Sequence, residues 1–338
     1  MSSPGADYME LDIYVGDASK AQYAGTKRTI RLITTSTTVD VQGIIQPFFS
    51  SDASAALNLK RMDIHAHSIT SGVDTSAYVD CYWLFNGCKR DSWDPSTYIL
   101  DNVGLAKFMN NWNAPINIHW GDNNSKLYMF AGTFTNSTGS YVANAPVIRV
   151  KKDGALSSGY AFASSATPRL NTLNIGPTSL NTLISGLDIS SNTLSYTIDP
   201  SQNTTSFGLM TVNIIPDDDR YTYKRISYVD SMGCINYINF DLLQTNTITN
   251  SKQTYMNNGT YRQYNNIVSD AYTLTSNWIT ETESLSLKDL WFSPSVMIDG
   301  KYVLLQNKTV NIQTRRGVKL INYTVEYQAA NEFKVQIN

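Results

Sequence analysis

The strongest constraint on what this chain can fold into is a period of two. Polar and apolar residues alternate through Thr29-Ile30-Arg31-Leu32-Ile33-Thr34, and again through Leu57-Asn58-Leu59-Lys60-Arg61-Met62-Asp63-Ile64. Successive side chains of an extended chain point to opposite faces, so alternation predicts strands with one face in a core and the other outside. Tyr78-Val79-Asp80-Cys81-Tyr82-Trp83-Leu84-Phe85 is apolar almost throughout and predicts a strand covered on both faces, with Asn86-Gly87 as its closing turn. Segments 116–120 and 126–130 flank Gly121-Asp122-Asn123-Asn124, which predicts a hairpin.

The same rule continues to the end of the chain. Segment 221–229 reads as a strand, Asp230-Ser231-Met232-Gly233 as a turn, and 234–240 as the returning strand. Asp299-Gly300 joins 296–298 to 302–305 in a hairpin, 309–314 and 318–327 meet at Arg315-Arg316-Gly317, and 332–337 closes the chain. One helix is predicted, over about 280–291: Thr280 and Glu283 have the spacing of a capping box, and Leu285, Leu287, Leu290 and Trp291 follow. The expected fold class is therefore mainly β, with two to three β-sandwich or β-sheet domains and one short helix in the C-terminal domain.

Polar stretches divide the chain. Residues 134–144 turn to Thr, Asn, Ser and Gly, and 157–192 mixes those residues with regularly spaced Leu. The expected organisation is an N-terminal β domain over 1–140, a middle polar β region or extended arm over 141–215, and a C-terminal antiparallel β domain over 216–338. A length of 338 residues suits two or three domains with real cores. No repeat of 20–50 residues is evident.

Composition bears on function through what is scarce. Charged residues make up 16% of the chain, well under the roughly 25% of ordinary soluble domains. Polar surface must come from Ser, Thr, Asn, Gln and Tyr, and the 21 Tyr outnumber the 11 Phe. Buried interfaces between proteins are depleted in Lys and Glu and enriched in Tyr and Trp. The same residues also suit any half-buried sheet, so composition alone leaves both readings open. A net charge of −2 provides no basic field for nucleic acid. The pairs Lys27–Arg28, Lys60–Arg61, Lys89–Arg90, Lys151–Lys152 and Arg315–Arg316 read as solvated loop charges. The opening Met-Ser-Ser-Pro-Gly-Ala-Asp-Tyr lacks the basic and apolar pattern of a signal peptide, and no run of about 18 apolar residues predicts a membrane span.

Chemistry finds few footholds. Cys81, Cys88 and Cys234 have neither disulfide-framework nor zinc spacing and read as buried free thiols. Asp63, His65 and His67 share one strand face, the sharpest candidate for a metal cluster, but His119 is the one other histidine and amidohydrolase-type sites need more ligands. Asp217-Asp218-Asp219 lacks the spaced pattern of a calcium loop and reads as an interdomain turn. No nucleophile elbow or phosphate-cradling Gly-rich loop occurs. The sequons at Asn136, Asn203, Asn258, Asn307 and Asn322 follow from composition. Tyr82-Trp83-Leu84-Phe85 with Trp93, Trp112 and Trp120 reads first as core packing, with sugar or interface binding as the other uses of such rings. No catalytic, cofactor-binding or metal-binding residue is assigned.

The C-terminal third carries a resemblance. Tyr228-Val229-Asp230-Ser231-Met232-Gly233-Cys234-Ile235-Asn236-Tyr237-Ile238-Asn239-Phe240 forms an aromatic strand pair, and Asn277-Trp278-Ile279-Thr280 leads into an acidic, Leu-bearing helix. Leu290-Trp291-Phe292-Ser293-Pro294-Ser295-Val296 ends it, and Leu320-Ile321-Asn322-Tyr323-Thr324-Val325-Glu326-Tyr327 with Ala330-Asn331-Glu332 closes the pattern. Over about 120 residues this resembles tail proteins of phages that infect Bacteroidota, including the crAss-like group. The resemblance implies a non-enzymatic virion protein of the tail, tail tip or baseplate, made in the host cytoplasm. It implies ring assembly with copies of itself and other tail proteins, without cofactor, membrane insertion or sequence-specific nucleic-acid binding. A receptor- or glycan-binding fibre or adhesin module is the alternative, and a tail-associated polysaccharide-degrading enzyme the second.

Overall fold

The computed structural model describes residues 7–17, 21–32, 39–49, 60–84, 107–108, 115–130, 133–135, 140–142, 147–162, 170–202, 205–206, 209–217, 222–231, 233–307, 309–311 and 320–329. The fold is mainly β, in several largely antiparallel sheets with a few short helices.

The first sheet takes β1 (Tyr8–Asp17), β2 (Thr26–Leu32), β3 (Lys60–Thr70) and β4 (Val73–Leu84) in the order β2-β1-β3-β4, all antiparallel. Met9, Leu11, Ile13 and Val15 alternate along β1 and meet Met62 and Ala66 of β3 in one core. The short helix α1 (Gln42–Ile45) adds Ile44 and Ile45 to its edge.

The second unit joins two sheets through one core. The larger holds β5 (Ile116–His119), β7 (Val147–Lys152), β9 (Ser195–Gln202) and β10 (Met210–Ile215) in the order β7-β9-β10-β5; the smaller pairs β6 (Lys126–Phe130) with β8 (Leu170–Asn174). Ile118, Leu127, Met129, Ile148, Leu173, Ile198 and Val212 are buried together, along with Leu180 of α2 (Pro177–Leu183). The expected hairpin of 116–120 with 126–130 does not form. Instead β5 pairs parallel with β10, while β6 lies in the other sheet. Asp122 explains the swing, because its buried carboxylate accepts from Asn124 N at 3.0 Å and Ser125 Oγ at 2.9 Å and turns the chain from one sheet to the other. Segment 116–130, grouped with the N-terminal strands on the sequence, therefore packs with 147–215. Within 157–192, the described residues 157–162 and 170–192 are not an arm: Leu173, Leu180 and Leu187 of that stretch are core residues.

The C-terminal sheet takes β11 (Lys224–Val229), β12 (Ile235–Phe240), β13 (Leu243–Asn257), β14 (Thr260–Thr275), β15 (Val296–Ile298), β16 (Lys301–Leu305) and β17 (Thr324–Ala329), in the order β12-β11-β15-β16-β17-β14-β13. The β11–β12 turn and the Asp299-Gly300 hairpin stand as the sequence reads, the latter with Asp299 at φ 48° and Gly300 at φ 77°. The capping box is present: Thr280 N donates to Glu283 Oε2 at 2.5 Å and Glu283 N to Thr280 Oγ1 at 3.2 Å. The helix it opens breaks at Leu287 into α3 (Glu281–Ser286) and α4 (Lys288–Phe292). The break lets Leu287, Leu290 and the Asp289 carboxylate, which accepts from Ser231 N and Oγ, all face inward.

Two other strand readings change. Residues 309–311 are not extended in a sheet, and 318–327 resolves into Leu320–Ile321 and β17 with Asn322-Tyr323 between them. There Tyr323 N donates to Ser276 Oγ at 2.9 Å, which turns the ring into the core. The strand at 332–337, the Asn86-Gly87 turn and the Arg315-Arg316-Gly317 turn lie outside the described residues.

Candidate assembly interface

Strands β13 and β14 form the longest pairing among the described residues, in continuous antiparallel register from Leu243↔Thr275 to Asn257↔Thr260 with one bulge at Gln253/Thr254. Among the described residues a third strand supports this ribbon only at its base, where Tyr272–Thr275 pair with β17. From Thr247 and Ala271 outward it stands as a two-stranded arm, reaching roughly 35 Å at about 3.3 Å per residue. Asn258 (φ 48°) and Gly259 (φ 75°) make the tip turn, whose two positive φ angles match the twist of the flanking strands.

Strand β13 of the arm has no inward face. Every side chain from Leu243 to Met256 is exposed, so both faces of β13 are open to solvent. Its exposed apolar groups include Ile248 (64%), Met256 (62%) and Tyr261 (71%), and Met256 is the cross-strand partner of Tyr261. Charge is sparse: Lys252, Arg262 and Asp270 are the charged residues of 247–271. The arm thus presents an unsatisfied strand edge, aromatic and apolar anchors and little ionic surface, which are the ingredients of contact with another protein chain.

Its base is rigid because the C-terminal sheet is tied to the second unit. His119 stacks on Tyr223, with ring centroids 4.0 Å apart and planes within 8°. Its Nε2 lies 3.3 Å from Asp241 Oδ2 and its Nδ1 3.5 Å from Asp217 Oδ1. Arg225 of β11 donates to buried Asp122 at 3.1 Å, and Asn117 Nδ2 donates to Glu283 Oε1. Gly121 belongs to this junction too, since a Cβ there would meet Asp217 Oδ2 at 2.7 Å. Asp217 is thus an interdomain residue; Asp218 and Asp219 lie outside the described residues.

Asp63, His65 and His67 do lie on the outer face of β3, opposite the core residues Met62 and Ala66. Each has a separate partner there. Asp63 accepts from Arg61 Nε at 2.9 Å and Tyr23 N at 2.8 Å, His65 Nε2 bonds Ser76 Oγ at 2.7 Å, and His67 Nδ1 bonds Asp74 Oδ1 at 3.0 Å. Asp12, opposite His65 on β1, lies 3.4 Å from His67 Nε2 and is paired with Lys27. Among the described residues no group of three or more His, Cys, Asp and Glu is arranged to hold a metal ion. Three basic pairs stand on strands, not loops: Lys27 reaches Asp12, Lys60 reaches Asp17, Arg61 is buried on Asp63, and Lys151–Lys152 end β7. The other two pairs lie outside the described residues.

Cys81 and Cys234 are free and buried. Tyr82 and Leu84 pack on the first core and Trp120 on the second, whereas Phe85, Trp93 and Trp112 lie outside the described residues. Trp278, which the sequence reading placed only in the lead into the C-terminal helix, is 55% exposed. It stands between a cleft of about 580 Å³ and a smaller cavity of about 280 Å³. Among the described residues no helix is long and apolar enough to cross a membrane. Compared with models of known protein families and with curated protein sequences, the chain matches none.

Proposed function

We propose that this chain is a non-enzymatic structural subunit of a phage tail, tail tip or baseplate, built into a multi-subunit ring by its β13–β14 arm. The observation that carries the reading is a two-stranded ribbon, paired with a third strand among the described residues only at its base, whose strand β13 is exposed on both faces. An isolated two-stranded hairpin is marginal in water. Fixing each residue costs about 1 kcal/mol or more in backbone entropy, while each ladder hydrogen bond returns about 0.5–1.5 kcal/mol. Such an arm gains its stability when another chain covers it. The charge-poor, Tyr-rich composition and the resemblance of the C-terminal third to Bacteroidota-phage tail proteins favour a virion assembly as the setting.

The test is the particle itself. Mass spectrometry and electron cryomicroscopy of purified virions from the host lysate are expected to find the chain in a fixed copy number, with the arm seated on a neighbour. Its absence from particles, with the protein recovered free in the lysate, ends this reading.

A second reading rests on Trp278. The 580 Å³ cleft beside it is lined by Asn307, Asn311, Asn322 and Thr309, an aromatic wall with amide and hydroxyl groups suited to a sugar ring. A glycan- or receptor-binding module would give a specific glycan-array signal that Trp278→Ala abolishes.

A further inference from the structure

His119 ends β5 at the joint between the second unit and the C-terminal sheet, and it is 5% exposed. Its ring is flanked by acceptors. Asp217, just beyond β10, places Oδ1 3.5 Å from Nδ1, and Asp241, just beyond β12, places Oδ2 3.3 Å from Nε2. Both ring nitrogens are buried without a hydrogen bond of ordinary geometry, and so is Asp241 Oδ1. A neutral imidazole carries one N–H, so whichever nitrogen lacks it turns a lone pair toward a carboxylate. An imidazolium carries two and suits both carboxylates at once.

The other charges at the joint are already matched. Asp122, in the loop after β5, is held by Arg225 of β11, and Asp299 is held by Lys224. Asn277 Nδ2 donates to Asp241 Oδ2 at 3.2 Å but brings no charge. Among the described residues, no cation other than His119 pairs with Asp217 or Asp241. Tyr223, just before β11, lies parallel over the imidazole with ring centroids 4.0 Å apart, and a cation within about 6 Å of a tyrosine face is attracted to it. Burial, then Asp122 and Asp217, raises the Tyr223 hydroxyl, so that ring stays neutral through the interval in which histidine titrates.

We propose that His119 is a pH-operated clamp on this joint. With both nitrogens protonated it ties Asp217 to Asp241, and on losing one proton it lets one of them go. The tie is complete on the acid side of histidine's titration and weakens as pH rises through it, across about pH 5 to 8. The clamp does not depend on the assembly reading above. The C-terminal sheet carries the β13–β14 arm, so the same proton sets how firmly the base of the arm is held.

Amide exchange on the full chain, corrected for the intrinsic effect of pH on exchange, tests the clamp at Trp120 and Asp122. Their N–H groups donate to Ile215 O at 2.9 Å and to His119 O at 3.0 Å, inside the joint. From about pH 5.5 to about pH 8.5 their opening is expected to rise about tenfold in wild type, the scale of one hydrogen bond to a charged group. His119→Gln, neutral at every pH, should give a flat profile, and the β3 histidines, present in both proteins, cancel from the difference. Asp217→Asn and Asp241→Asn should each flatten the profile too, since each leaves the ring one carboxylate. Asp217 is half-exposed, so its substitution leaves the core filled and keeps the test decisive even where His119→Gln does not fold. A wild-type profile that is itself flat, or one that either Asp217→Asn or Asp241→Asn leaves unchanged, overturns the clamp.

Discussion

At the scale of single residues, the outer face of the first sheet is a network of charges that acid should loosen. Burial alone would raise the Asp12 carboxyl, but hydrogen bonds from Lys27 and Thr29 outweigh it and hold the group below its ordinary 3.8. A carboxyl depressed in the folded state contributes stability that is present above its unfolded value and is lost as pH falls through the folded one. Wild-type protein should therefore lose more stability than Asp12→Asn between about pH 5 and about pH 2, read from urea midpoints at each pH. Parallel profiles would show that Asp12 gains nothing from Lys27. Thiols give an independent check on burial. Burial, then the neighbouring Asp63, pushes Cys81 up to about 12, and burial, then Asp230, raises Cys234. Only thiolate reacts, so a folded Cys88→Ser variant should show no fast-reacting thiol toward a disulfide reagent at neutral pH, and two after denaturation in guanidinium. A prompt reaction in the folded state would mean that one of these strands is open.

Elements were legible where burial imposed a pattern. Alternation marks β3, β11 and β12, the Asp299-Gly300 turn marks β15, and Met9, Leu11, Ile13 and Val15 carry the alternating signal for β1. The arm escaped that rule for a physical reason. Hydrophobic periodicity reports which side chains the chain buries against itself, and 243–256 buries none, so Thr, Asn, Ser and Gln fill both faces of β13. What was readable was the Asn258-Gly259 turn, as strong a hairpin signal as Asp299-Gly300 but without apolar alternation beside it. Pairing between distant segments left no local trace at all. The turn at 121–124 is real, yet β5 runs parallel to β10, a partner some 95 residues away, and Asp122 rather than strand pairing governs the bend. A β-branched residue at φ 75° is strained by about 1–2 kcal/mol, so Gly259→Val should speed amide exchange across residues 253–263 by roughly five- to thirtyfold. Exchange in β11 and β15 should not change. If the core strands loosen with the tip, the arm is not an independent ribbon.

For the molecule as a whole, the arm separates the stability of the subunit from the stability of the assembly. The core residues of the C-terminal sheet, Ile226, Tyr228, Phe240, Leu274 and Val325, are buried without help from 247–271. Excising those residues and joining Asn246 to Tyr272 through an inserted Asn-Gly keeps the register, because Asn246 and Tyr272 already face each other across the ribbon. A two-residue Asn-Gly loop is the connection such a strand pair favours. The shortened chain keeps every one of these core residues, so its melting temperature should stay within about 2 °C of wild type, the effect of a substitution outside the core. Association, by contrast, should disappear, because the tip that reaches the neighbour has gone. The two readouts move apart only if the arm faces outward to another chain. A fall of more than about 5 °C would place those residues in the fold of the subunit itself, and an excised chain that still assembles would put the contact elsewhere on the surface.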